Sequence, residues 1–140
     1  MEVTVEHLGS VQFEIKARQH TVICDQPAEN FGHDEGMTPP ELLLASLGSC
    51  AAFYAVAYLR KYKLAEKGTA ETGTKVRVTA DKRKDPPRLD DFRIFISVPS
   101  GLDPKHVEGM ERAVHQCLIH NTLLHSATVA IEIHAPELAK

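Results

Sequence analysis

The chain has 140 residues, a formal charge of −3, and 43% hydrophobic against 25% charged residues, which are the proportions of one soluble globular domain spanning residues 1–140. There is no basic run to form a nucleic-acid footprint, and the opening MEVTVEHLGS lacks the basic-then-apolar pattern of a secretion signal. Three cysteines without a short repeated spacing fit a reducing, cytoplasmic setting rather than a disulfide scaffold.

Val3 and Val5, then Val11, Phe13 and Ile15, alternate with polar residues, and residues 21–24 continue in β-forming types. This predicts a three-stranded meander. Residues 27–40 read as loop from their Pro, Gly and Asn content. An uncharged run over residues 42–59 then predicts a long helix from about Pro39 to Lys63. Its length reaches that of a membrane span. Ser46, Gly48 and Ser49 within it, and strand-like patterns on both sides, favour instead a buried central helix of a soluble core, with no membrane partner.

Residues 68–73 read as a turn, and residues 75–79 and 92–98 alternate as two strands joined by the polar loop KRKDPPRLDD. Asp103 as cap and Pro104 at the first position start a second helix, with Val107, Met110, Val114, Cys117 and Leu118 on its apolar stripe. Residues 128–133 predict a closing strand. The order βββ-α-ββ-α-β is that of an α+β fold.

Chemistry is suggested by Cys50, in the middle of the apolar helix, and Cys117, in the second. Two cysteines far apart in sequence point to a thiol pair rather than a zinc knuckle. In apolar surroundings both would stay protonated and inert unless a cation stood near one of them. Thr38-Pro39-Pro40-Glu41 is a capping box. Glu41 lies on the opposite face of the helix from Cys50 and about 13.5 Å away along its axis, so it acts as a cap. The helix dipole fades within the first turn and does not reach Cys50.

Cys24 reads as a packing residue, and His33 and Asp34 as turn formers. His115, His120 and His125 surround Cys117. Their five-residue steps splay them by about 140° around a helix, so no common ligand face is expected and no metal is assigned.

The string GHDEGMTPPELLLASLGSCAAF, followed later by CLIHNTL, resembles the OsmC/Ohr family of thiol-dependent peroxidases, in its OsmC-like branch. The resemblance spans most of the chain. It implies an OsmC-like fold with the long helix at the centre of an intertwined homodimer. It also implies reduction of organic hydroperoxides, with Cys50 as the peroxidatic and Cys117 as the resolving cysteine. The disulfide would be returned to thiols by an external dithiol reductant, with no bound cofactor.

The family's activating arginine matches best at Arg18. The family's partner glutamate falls one residue before Glu41, on Pro40, and is missing here. An apolar pocket lined by Phe31, Met37, Phe53 and Tyr54 would favour organic over hydrogen peroxide. Two other readings stay open: a non-catalytic relative that binds a small apolar or thiol ligand in the dimer cleft, and a cysteine hydrolase with a histidine base close to Cys50.

Overall fold

The computed structural model describes residues 1–64, 73–98, 101–125 and 127–135. Strands β1 (Thr4–Gly9), β2 (Gln12–Ala17) and β3 (His20–Cys24) form an antiparallel meander in that order. The β2–β3 hairpin is tight: Ala17 pairs with His20, and Arg18 takes a left-handed φ of 56° in the turn. A one-turn 3-10 helix (Ala28–Asn30) follows in the loop. Helix α1 (Pro39–Lys61) then starts at the expected place. The Thr38 N–H and hydroxyl both donate to Glu41 Oε2 at 2.8 Å, so the capping box forms as read.

Strands β4 (Lys75–Lys84) and β5 (Pro87–Ser97) make a second, two-stranded antiparallel sheet. The expected polar loop between them is mostly strand, and only Asp85 and Pro86 make the turn. Cross-strand ion pairs hold this charged end: Arg83 with Asp90 and Asp91, beside a pair between Arg88 and Asp90. Hydrophobic alternation does not register such pairing, whereas opposite charges on facing strands support it. The turn expected at residues 68–73 lies largely outside the described residues.

The second helix is broken in two. Helix α2 (Pro104–Val114) starts with Asp103 Oδ1 accepting from Lys105 N–H at 3.0 Å, and α3 (Leu118–Leu124) follows after the break at residues 115–117. Cys117 is the N-cap of α3, with its Sγ accepting from His120 N–H at 3.4 Å. The closing strand expected at residues 128–133 is not formed: the segment has no regular secondary structure and pairs with no strand among the described residues. Val129, Ile131 and Ile133 on this segment are each more than 80% exposed.

The core lies where α1 crosses β4, β5 and α2. Leu47, Ala51, Ala55 and Leu59, spaced one turn apart, form the buried stripe of α1, and the last three pack with Met110 and Val114 of α2. Gly48 sits on the same side, where an added Cβ would come within 3.1 Å of Val78; its lack of a side chain lets α1 lie close on β4. By length and composition α1 could cross a membrane, yet here one face is packed on protein. It is not buried all round: Phe53 is exposed on the other face, and Leu43 is exposed near the start of the helix. The meander is also open, with Val3, Val5, Leu8 and Val22 exposed.

Candidate thiol site

Within the fold the two helix cysteines meet. Cys50 lies on α1 one residue before the buried Ala51, at the margin between the packed stripe and the open face. Cys117 caps α3 and is fully buried. Both are free thiols. Burial pushes the Cys117 thiol up from its ordinary range, and a hydrogen bond with the Cys50 thiol pushes it further; the N–H groups of His120 and Ile119 pull weakly the other way. Cys117 is therefore held as a thiol, side by side with a second sulfur that is only partly buried.

A cavity of about 810 Å³ opens beside the pair, between α1, β5, α2 and α3. Its walls are apolar, with Phe92, Ile94, Ile96 and Val98 from β5 and Met110 from α2. Leu47, one turn before Cys50, and Val114 and His120, on either side of Cys117, place this wall next to the sulfurs, though neither cysteine lines it.

The other expected site residues are dispersed. Arg18 is exposed at the hairpin tip and has no hydrogen bond or ion pair among the described residues. Phe31 and Phe53 are exposed, and Phe53 touches Tyr54 edge-on with ring centres 5.3 Å apart. Met37 forms a backbone bridge with Cys24. None of these four lines the cavity, because Phe53 projects from the open face of α1 and the loop carrying Phe31 lies against β3. The reason for denying the histidines a common face also fails: with the helix broken, His115 Nδ1 lies 3.4 Å from His120 Nε2.

Sequence reading missed Asp25, a fully buried carboxylate. It accepts from the N–H groups of Gln26 at 2.7 Å, His33 at 3.1 Å and Glu35 at 3.2 Å, and from the Gln12 amide at 3.4 Å. It thereby folds the loop leading to α1. Burial alone would raise its pKa, but these donors outweigh burial and hold it below the usual carboxylate range. Gly32 and Gly36 allow the tight packing, since a Cβ on either would collide with the carbonyl of Gln26 or Ile23. An aspartate just before a Pro- and Gly-containing loop was the available signal.

Residues 32–132 match the family model described as OsmC-like protein. Similar solved structures include one from Psychrobacter arcticus 273-4, provisionally assigned to osmotic stress and detoxification response, at 24% identity and TM-score 0.74, covering 86% of this chain and 85% of that one. An OsmC like protein from Mycoplasma pneumoniae gives 17% identity and TM-score 0.71, covering 88% and 86%. The organic hydroperoxide resistance protein OsmC from Legionella pneumophila gives 13% identity and TM-score 0.54, covering 87% of each chain. At these identities the likeness establishes the fold. No match is found among curated protein sequences.

Proposed function

The chain belongs to the OsmC-like protein family, and from that membership and its paired thiols we propose that it is a cysteine-based reductase of organic hydroperoxides. The observation that carries this reading is the asymmetry of the pair: Cys50 reaches the protein surface, while Cys117 is sealed behind it and held protonated. That is the division of labour between an attacking and a resolving thiol.

In this reading the Cys50 thiolate attacks one oxygen of ROOH. The O–O bond breaks, the alkoxide takes up a proton and leaves as alcohol, and Cys50 becomes a sulfenic acid. The Cys117 thiol then condenses with it, forming the disulfide and releasing water. An external dithiol reduces the disulfide and restores both thiols. The apolar cavity beside the pair favours a peroxide with a hydrocarbon body over hydrogen peroxide. A cation is needed to stabilise the thiolate. Arg18 takes this role when a second copy of the chain covers the open face of α1 and brings the hairpin tip of one copy to the site.

Peroxide consumption coupled to a dithiol tests the proposal. An alkyl hydroperoxide is consumed faster than hydrogen peroxide, Cys50→Ser abolishes turnover, and Cys117→Ser halts it after one oxidation per chain. Full activity in Cys50→Ser would overturn the role given to Cys50, and a parent protein that consumes no peroxide would overturn the catalytic reading itself. The absence of the family's glutamate at Pro40 would then favour a non-catalytic protein that holds a small apolar or thiol ligand, measurable by direct binding to Cys50→Ser.

A further inference from the structure

The break between α2 and α3 has a consequence outside the thiol chemistry. His115 closes α2 and His120 lies in the first turn of α3, and their rings stand at 87° with centroids 5.0 Å apart. His115 Nδ1 and His120 Nε2 face each other at 3.4 Å. Two imidazole nitrogens bound at 2.0–2.1 Å to one tetrahedral zinc lie about 3.3–3.4 Å apart. The hydrogen-bonded pair thus has the spacing of such an edge, and rotation of both rings would turn their lone pairs off the line joining the nitrogens and onto one point.

We propose that His115 and His120 form a clamp for a borderline divalent transition cation such as zinc or cobalt(II), bridging α2 and α3 at the rim of the apolar cavity. Nitrogen donors select this class over magnesium or calcium, which take oxygen ligands. Glu111, one turn before His115, lines the same cavity and adds negative charge on that side. Among the described residues no three side chains of ligand type already converge, so solvent fills the remaining positions. His115 is exposed and His120 half-buried, so a cation has direct access. Each bound nitrogen must be unprotonated, which a tautomer change provides by moving the N–H to the other ring nitrogen. The clamp pins the segment carrying Cys117, whose Sγ already accepts from the His120 N–H, without using that sulfur as a ligand.

Untagged, reduced protein titrated with cobalt(II) tests this, with binding followed by visible absorption. The expected result is one saturable equivalent per chain, no near-ultraviolet sulfur-to-cobalt charge-transfer band, and a higher thermal midpoint with metal. His115→Ala and His120→Ala each weaken binding by at least about tenfold, with parent-like circular dichroism. His125→Ala, whose Nδ1 is bonded to the Asn121 carbonyl, binds as the parent does. A sulfur charge-transfer band, or parent-like affinity in either His115→Ala or His120→Ala, would overturn the assignment, as would no saturable binding.

Discussion

Asp25 shows how much one side chain can organise. Its two oxygens collect three backbone N–H groups and one amide from the segments on either side of the loop, so the carboxylate ties β2, β3 and the approach to α1 together. Because its folded-state pKa lies below the ordinary value, its charge adds stability above the unfolded-state pKa of about 3.9, and the contribution is lost as the pH falls through the lower folded-state value. Asp25→Asn keeps the shape and removes the charge. Its unfolding midpoint should lie below the parent's near neutral pH, with the gap narrowing in solutions more acidic than about pH 4. A gap that stays constant with pH would show that the charge is not what ties the loop. Arg18 is a second single-residue case. Arg18→Ala should slow both alkylation of Cys50 at neutral pH and peroxide reduction, with the circular dichroism unchanged. An unaltered alkylation rate would remove Arg18 as the activating cation.

At the scale of elements, the contact between α1 and β4 depends on Gly48 having no side chain. Glycine in a helix interior costs about 1 kcal/mol relative to alanine, while a Cβ here would press on Val78 at 3.1 Å. The two effects oppose each other, so Gly48→Ala should stay within about 1 kcal/mol of the parent. Gly48→Leu should destabilise by roughly 1–3 kcal/mol through overpacking. Denaturant midpoints decide this, and a leucine variant as stable as the alanine variant would mean the helix stands further from the sheet.

The same elements show what a linear reading captures. Helix α1 was legible because its apolar run, its Thr38 cap and Pro39 all agree. The paired thiols were legible through the motif around Cys50 and the later CLIHNTL. The break before Leu118 was not, since the apolar stripe runs on through Cys117 and nothing marks a cysteine as an N-cap. The charged half of the β4–β5 hairpin was hidden for a related reason: Arg83, Asp90 and Asp91 pair by charge, which leaves no hydrophobic period to read.

At the scale of the molecule, one chain leaves much apolar surface open. Leu43 and Phe53 on α1, the side chains of the open meander, and Val129, Ile131 and Ile133 on the unpaired C-terminal segment are all exposed. An alternating apolar segment with unpaired backbone groups seeks a sheet edge, and a second copy of the chain offers both such an edge and a matching helix face. We propose that an intertwined homodimer, burying more than about 2,000 Å² of largely apolar surface, covers these features together. The expected mass by sedimentation or light scattering is twice the 15.5 kDa of the chain at micromolar concentration. Phe53→Glu places a charge in the centre of that face and should shift the mass toward the monomer. Because Cys50 lies at the margin of the same face, peroxide reduction should fall in parallel. A parent protein that sediments as a monomer at micromolar concentration would rule out the assembly. A Phe53→Glu monomer with full activity would show instead that one chain holds a complete site, and Arg18 would then have to reach Cys50 within its own chain.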